Sequence, residues 1–246
     1  MCNVRAALGG LGFACCILFQ PMTPARAAIL LHEYLFDGAG VTDTAGSANG
    51  TLFGGATIGS GVLSLDGVND YVEFGAKLVP TGLSAFSVTM DAKQLSRGPG
   101  FIEMISQGSS GPSGFYIGHN PGGNFRFGDQ HTVTGVPFPN DNLFHSYALT
   151  SDGLGTNFYV DGFLVFTSGI QIGTTAIGSN TRLGRQFDPF GEFFHGNLDN
   201  VRIYSGALTA EEISSGIASK VSAPGALALF GLGLAGLSFA GRKRTA

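Results

Sequence analysis

The chain has 246 residues, among them 40 glycines, 21 phenylalanines and only three cysteines. Residues 28–220 contain 17 acidic and 8 basic side chains, which gives this segment a formal net charge of −9. A segment this acidic argues against nucleic acid as a partner, whereas it is compatible with calcium sites. Its length fits one domain of ordinary size that can bury most of its apolar surface.

Residues 1–27 have the three parts of a secretory signal peptide. A positive charge near the start precedes an apolar run over residues 6–19, and the segment ends in Ala25-Arg26-Ala27. The apolar run is short and prolines follow it, which favours a cleaved signal over an N-terminal helix packed on the domain. We expect signal peptidase to cut after Ala27, with Ala25 and Ala27 as the A-x-A residues. Because every cysteine lies in this segment, the mature chain is stabilised without disulfides.

The segment that follows has the pattern of β structure. Short runs alternate apolar and polar residues between Gly, Asn, Asp and Pro, and apolar residues rarely recur every three or four positions. Many short strands separated by turn residues are typical of an all-β sandwich or barrel. The predicted strands are 29–36, 62–65, 71–74, 86–92, 101–106, 114–118, 124–127, 143–150, 157–160, 163–167, 181–184 and 195–204.

The run "NFYVDGFLVF" predicts a tight β-hairpin. Asp161 and Gly162 stand between two alternating runs, and this pair readily takes the two positive φ angles of a type I′ turn. The run "SLDGVNDYVEF" repeats the arrangement with a longer loop over residues 66–70. Both segments therefore connect neighbouring antiparallel strands.

One helix is predicted on the body, near its C-terminal end. Thr209-Ala-Glu-Glu212 is a capping box, in which the Thr209 hydroxyl and the Glu212 carboxylate each accept a hydrogen bond from a free backbone N–H. Ile213 and Ile217, four residues apart, give this helix an apolar face. The helix is expected to pack on the sandwich.

The last segment predicts a transmembrane helix. Residues 225–241 carry no charge, and a helix of this length spans about 25 Å, near the lower limit for crossing a bilayer. Residues 218–224 form a linker before it. The basic residues Arg242, Lys243 and Arg244 follow it, and basic residues favour the cytoplasmic side. The domain would then lie on the other side of the membrane.

Three motifs of the body carry a family resemblance. They are "LSLDGVNDYVEF", "FHSYALTSDGLGTNFYVDG" and "GNLDNVRIYSGALTAEEI", in this order. They resemble the laminin-G-like jelly-roll domains of the concanavalin A-like lectin/glucanase superfamily, over about residues 31–217. The resemblance implies a domain over residues 28–217 with two antiparallel sheets packed face to face. Phe144 departs from it, because the family usually has Trp there, and we interpret this as a packing variant.

The superfamily includes glycoside hydrolases, and their carboxylate pattern is missing from this chain. In the glucanases two or three acidic residues alternate along one strand as Glu-x-Asp-x-Glu, so that they share a face. Here Glu103 stands alone, and Glu73 has no carboxylate two positions away. The absence of this carboxylate pattern therefore predicts a protein without catalytic activity. His145 occupies a strand position that the family usually fills with His, and we interpret it as structural.

The resemblance also implies a structural calcium ion between the first and last strands. Asp199 matches the aspartate that anchors calcium from the last strand in many such domains, and Asp37 is the candidate from the first strand. Backbone oxygens would complete the ligands. The alternative is that Asp37 caps a turn with Gly38 and that Asp199 pairs with Arg202 or with the edge of the sheet.

Lectin-like sandwiches bind sugars with rim loops or with a concave face. The candidate rim loops are 108–113, 120–124 and 186–194. Phe190 and Phe193 in the last loop would offer rings on which a sugar could stack, although a phenylalanine is more often part of a core.

The C-terminal segment resembles the PEP-CTERM sorting signals of Gram-negative bacteria that make exopolysaccharide. These signals combine a short proline motif, a Leu/Gly/Ala helix and a terminal basic cluster. Pro224 is retained here, but the glutamate of the motif is missing. The resemblance implies that an exosortase of the inner membrane cuts near Pro224, and a permanent tail anchor is the alternative.

Together these features predict an exported module without catalytic activity that is sorted to the cell envelope, surface or extracellular matrix. Exopolysaccharide or another glycan is the expected partner. The alternatives are a structural matrix protein that binds other proteins and, less favoured, a relative of the glycoside hydrolases.

Overall fold

The computed structural model describes residues 27–109, 114–128, 132–174 and 176–216. Residues 1–26 of the predicted signal peptide, with Ala25, lie outside these residues. So do Ile217 of the predicted helix face, the predicted linker with Pro224, and the predicted apolar helix with Arg242, Lys243 and Arg244. In the described part of the chain, no helix has the length and apolar character needed to cross a membrane.

The described residues form fifteen strands and one short helix. The strands are β1 Ile29–Tyr34, β2 Gly50–Phe53, β3 Thr57–Gly59, β4 Val62–Asp66, β5 Tyr71–Phe74, β6 Phe86–Gln94, β7 Ile102–Gly108, β8 Phe115–His119, β9 Asn124–Phe127, β10 Thr132–Pro137, β11 His145–Ser151, β12 Thr156–Val160, β13 Phe163–Ser168, β14 Ser179–Leu183 and β15 His195–Ser205, and the helix is α1 Ala210–Ser214. Each predicted strand is present, with ends that differ by at most two residues.

The strands form two sheets, and the neighbouring pairs are antiparallel. Sheet A has the order β13-β12-β11-β6-β15-β4-β3. Along the edge of β15 that faces away from β6, the first half of β15 pairs with β4 and the second half pairs with β1. Sheet B has the order β10-β9-β8-β7-β14-β5-β2. The fold is therefore an all-β sandwich of two antiparallel sheets with a single short helix in the described residues, as the sequence predicted.

Three strands were not predicted, and each has a weak sequence signal. β2 and β3 have four and three residues. β10 contains Gly135 and Pro137, and both residue types are depleted in strands. β3 pairs with β4 through Ser60 and Gly61, whose φ angles of 54° and 76° are those of a type I′ turn. A Ser-Gly pair is a less common signal for this turn than Asp-Gly.

The core between the sheets is rich in phenylalanine. Phe125 lies at its centre, with ring centroids 4.7 Å from Phe158, 4.7 Å from Phe138 and 5.5 Å from Tyr147. Truncating a buried Phe to Ala typically costs about 3–5 kcal/mol, so this aromatic cluster is a main source of stability. The described residues contain no cysteine that could form a disulfide.

The predicted hairpin and capping box are both confirmed. Asp161 and Gly162 have φ angles of 51° and 80°, as a type I′ turn requires. The Thr209 hydroxyl accepts a hydrogen bond from the Glu212 N–H at 3.2 Å, and the Thr209 N–H donates to the Glu212 carboxylate at 2.8 Å. The cap fixes the start of α1, which packs through Ile213 on the outer face of sheet A.

Candidate functional site

The outer face of sheet B carries aromatic and charged side chains. Along β5, Val72 and Phe74 enter the core, so Tyr71 and Glu73 point to the other side of the sheet. The loop from residue 185 to residue 194 folds over part of this face. A hydrogen bond from the Glu103 N–H to the Glu192 carbonyl, 3.0 Å long, fixes the loop against β7.

A buried ion cluster lies beneath this loop. Glu103, Gly118 and Arg126 are neighbours across β7, β8 and β9. A Cβ atom on Gly118 would lie 2.2 Å from the Glu103 carboxylate, so only glycine leaves the space in which Glu103 and Arg126 meet. The Arg126 guanidinium lies 2.6 Å from Glu103 and 3.1 Å from Glu192. One cation therefore serves two carboxylates.

Two rings enclose the Arg126 guanidinium, whose carbon lies 4.2 Å from the ring centroid of Phe101 and 4.5 Å from that of Tyr116. Arg126 and Glu103 are fully buried in this environment. Burial raises the pKa of Glu103 well above its usual value; the Arg126 charge opposes this increase and the nearby Glu192 charge adds to it. Because these charged groups are removed from water, loss of the Arg126 cation would destabilise the fold.

A neighbouring part of the same face is open to solvent. The rings of Phe53 and Tyr71 stack at a centroid distance of 4.9 Å and an interplanar angle of 9°, and Phe193 lies 6.4 Å from Tyr71. The Arg185 guanidinium carbon is 4.9 Å from the Tyr71 ring centroid and 5.5 Å from that of Phe193. We call Phe53, Tyr71, Phe193 and Arg185 the aromatic face.

Asp188 links the arginines beside the aromatic face. It accepts hydrogen bonds from Arg185 at 2.7 Å and from Arg182 at 2.9 Å. The bond from Arg182 lowers the pKa of Asp188. Arg182 also contacts Glu73 at 3.3 Å. The aromatic rings are therefore bordered by a fixed network of hydrogen-bond donors and acceptors.

The rim residues predicted for sugar binding fall in different surroundings. Phe193 belongs to the aromatic face, whereas Phe190 packs against the buried Phe187 with a ring-centroid distance of 6.5 Å and an interplanar angle of 72°. Phe53 and Tyr71 were missed by sequence reasoning. The alternation of "YVEF" places Tyr71 and Glu73 on one face, but it does not show which partners that face meets.

The negative charge of Asp37 acts on Asp199, the other predicted calcium ligand. Burial raises the pKa of Asp199, and the charges of Asp91 and Asp37 raise it further. The Asp199 carboxylate accepts hydrogen bonds from the backbone and side-chain nitrogens of Asn200 at 2.7 and 3.1 Å. Arg202 donates to Glu33 at 2.8 Å, and no hydrogen bond or ion pair between Arg202 and Asp199 is found in the described structure.

The surroundings of Asp37 and Asp199 fit calcium only with further ligands. Among the described residues, no three His, Cys, Asp or Glu side chains are arranged to hold a metal ion. Two carboxylates with excess negative charge are suitable ligands for a hard cation, and backbone or water oxygens would have to supply the rest.

His145 joins two loops at one end of sheet A. Its Nδ1 lies 2.7 Å from Asp161, and its Nε2 lies 3.2 Å from Asp141. Burial acts to lower the pKa of His145, but the hydrogen bonds with Asp161 and Asp141 outweigh this effect, so the pKa is raised. The contacts hold the β12–β13 hairpin beside the start of β11.

Residues 66–214 match the model of a laminin-G-type domain of the concanavalin A-like lectin/glucanase superfamily. This match covers more than half of the chain. The chain belongs to this superfamily. Comparison with curated protein sequences gives no significant match.

Solved structures show the same superfamily fold at low sequence identity. Domain 4 of a GH43 extracellular arabinanase from Geobacillus stearothermophilus, in complex with arabinotriose, has a TM-score of 0.60 and 18% identity, and the match covers 79% of this chain and 100% of that one. Trypanosoma rangeli sialidase has a TM-score of 0.58 and 16% identity, over 78% and 33% of the chains. The binding domain of Paraclostridial Mosquitocidal Protein 1 has a TM-score of 0.60 and 15% identity, over 76% and 51%. This superfamily member therefore spans about a third of the sialidase and half of the toxin domain.

Removing the shared cation tests the buried cluster. We expect Arg126→Met to lower the free energy of unfolding at pH 7 by about 3–5 kcal/mol, because it leaves buried carboxylates without a cation. The loss should shrink as the pH falls, because Glu103, whose pKa is raised in the folded state, destabilises that state only when it ionises. Urea unfolding at pH 5 and pH 7 measures both effects.

The double variant Glu103→Gln/Arg126→Met is the control, because it removes the ionised carboxylate together with the cation. It should recover part of the stability lost in Arg126→Met. An equal loss at both pH values, with no recovery in the double variant, would show that the arginine acts only through packing.

Proposed function

We propose that the protein is an exported, non-catalytic carbohydrate-binding module and that the aromatic face contacts the glycan. The observation that carries this proposal is the solvent-accessible stack of Phe53 and Tyr71, with Arg185 and Asp188 beside it. Sugar rings have apolar faces and polar edges. Recognition sites for such ligands combine aromatic surface with a few fixed polar groups.

The structural neighbours support a glycan as the ligand class. The arabinanase domain, which this chain covers completely, is described in complex with arabinotriose. The sialidase is described in complex with an inhibitor, and the toxin fragment is described as a binding domain. The fold is thus found both in a sugar complex and in binding domains.

The pairing of the carboxylates supports the non-catalytic part of the proposal. Glycosidases use two carboxyl groups beside the scissile bond, one of which protonates the leaving group in the common mechanisms. On this face Glu103 is fully buried, and the acidic residues Glu73, Asp188 and Glu192 each contact an arginine. These contacts favour binding over hydrolysis.

The remaining parts of the proposal concern export and a bound ion. The sequence features of residues 1–27 support secretion, and those of residues 218–246 support sorting to the envelope by an exosortase. The negative charges of Asp91 and Asp37, which act on Asp199, support a structural calcium ion between the first and last strands.

Glycan binding is tested on the aromatic face. We expect the purified chain to be retained on one or more members of a polysaccharide array, and Tyr71→Ala to weaken this binding by about tenfold because a stacking ring is lost. Phe163→Ala, at a ring that is 75% exposed on sheet A, is the control and should bind like the wild type.

The glycan proposal fails if the array retains neither the wild type nor any variant. A protein partner captured by the wild type and lost in Tyr71→Ala would instead support a structural matrix protein. Release of reducing sugar by the purified chain would contradict the non-catalytic assignment.

Sorting is tested by the intact mass of the protein isolated from its host. We expect a mature chain that begins at residue 28 and ends near Pro224. A mass that still includes residues up to Ala246 would contradict cleavage and indicate a tail anchor.

Calcium is tested by thermal unfolding. We expect added calcium to raise the melting temperature relative to EDTA, because a ligand that binds only the folded state stabilises it. Asp199→Asn should remove this increase, whereas Asp152→Asn, in the β11–β12 loop, should keep it. Equal melting temperatures of the wild type in calcium and EDTA would exclude the site.

A further inference from the structure

A pocket lies between α1 and the outer face of sheet A, on the side of the sandwich away from the aromatic face. Its volume is about 150 Å³. Its lining divides into two sides. Asp91, Ser146 and Asn200 form the polar side, and Ala148, Tyr159 and Ile213 form the apolar side.

The polar side is held in place by hydrogen bonds around Asp91. One carboxylate oxygen of Asp91 accepts a bond from the Ser146 hydroxyl at 2.5 Å, and the other accepts from the Asn200 side-chain amide at 2.8 Å. Both donors are neutral, so they orient the carboxylate without neutralising its charge. Each oxygen also keeps a lone pair for a further donor.

The charges around the pocket are predominantly negative. Asp199 is the direct cross-strand neighbour of Asp91, so two carboxylates lie side by side on this face. Arg202 lines the pocket, but its guanidinium donates to Glu33 at 2.8 Å and to the backbone and side-chain oxygens of Asn200 at 3.4 and 3.3 Å. A cationic ligand is therefore favoured, and an acidic one is repelled.

The other side of the pocket is an apolar wall. Ala148, Tyr159 and Ile213 belong to a small hydrophobic cluster that joins α1 to sheet A. A cavity of about 150 Å³ is large enough for one six-membered ring. The pocket therefore offers a place for a ring beside a place for a positive charge.

We propose that this pocket binds a primary ammonium group carried on a ring-sized body, such as a hexosamine with a free amine. The ammonium donates to Asp91, and the ring packs against Ala148 and Ile213. This second site lies on the opposite sheet from the aromatic face, and it does not depend on glycan contact there.

Titration calorimetry of the full chain in EDTA tests the proposal, with EDTA present to exclude calcium at Asp199. Glucosamine and cyclohexylamine carry the ammonium on a sugar and on a plain ring, respectively. We expect both to bind, and their relative affinities distinguish a sugar from another amine. Glucose, which lacks the charge, should bind about tenfold more weakly, and glucuronate should not bind.

Two variants locate the binding. Asp91→Asn keeps the shape of the side chain but removes the charge, and should weaken glucosamine binding by about tenfold. Ala148→Leu keeps every charge and fills the pocket, so it should weaken both amines. Asp152→Asn, which removes a carboxylate charge in the β11–β12 loop away from the pocket, is the matched control and should leave both titrations unchanged. Thermal unfolding checks that each variant is folded.

The proposal is overturned if the wild type binds neither amine, or if glucose or glucuronate binds as tightly as glucosamine. It is also overturned if Asp91→Asn, in folded form, retains wild-type affinity for both amines. A loss of polysaccharide retention in Tyr71→Ala would bear only on the aromatic face, so failures of the two sites are distinguishable.

Discussion

The arrangement of sheet A depends on a bulge in its longest strand, β15. Asp199 lies opposite Asp91 on β6, but Arg202 lies opposite Thr89, so β15 has one extra residue between these two pairs. Asn200 adopts a φ of 50° at this point. A bulge of this kind re-aims the side chains around it and bends the strand. It also marks where the other edge of β15 changes partner from β4 to β1.

The bulge explains why polar groups gather at one place on the sheet. Leu198 and Val201 on either side of it enter the core, while Asp199, Asn200 and Arg202 lie away from the core. The side chains proposed for calcium and those of the amine pocket therefore meet around one backbone irregularity. Calcium at Asp199 would reduce the negative charge beside Asp91, so the two proposed ligands are expected to be coupled.

The sequence predicts the strands well because each signal is local. In β5 and β12 the alternation of residues assigns one face to the core, and in the hairpin Asp161 and Gly162 determine the turn. The buried ion cluster could not be predicted in this way. Glu103 and Arg126 lie on β7 and β9, and they meet only because β8 presents Gly118 between them.

The candidate sites likewise could not be predicted from local sequence patterns alone. Asp37 and Asp199 were predicted as calcium ligands from a resemblance that already contains the order of the strands, so their prediction does not rest on the local sequence alone. The stack of Phe53 on Tyr71 requires β2 to pair with β5 in one particular register, in which these two residues are direct partners. A short strand such as β2 has too few residues for its sequence to specify that register.

The C-terminal end of the described domain lies near the outer face of sheet A and not near that of sheet B. Gly216, the last described residue, lines the pocket beside α1, so the described domain ends on the side of sheet A. The aromatic face belongs to sheet B, on the other side of the sandwich. If the domain is tethered through its C-terminal segment, a large polysaccharide can approach sheet B from the side away from the tether. The pocket near the tether is better suited to a small group or to the end of a chain.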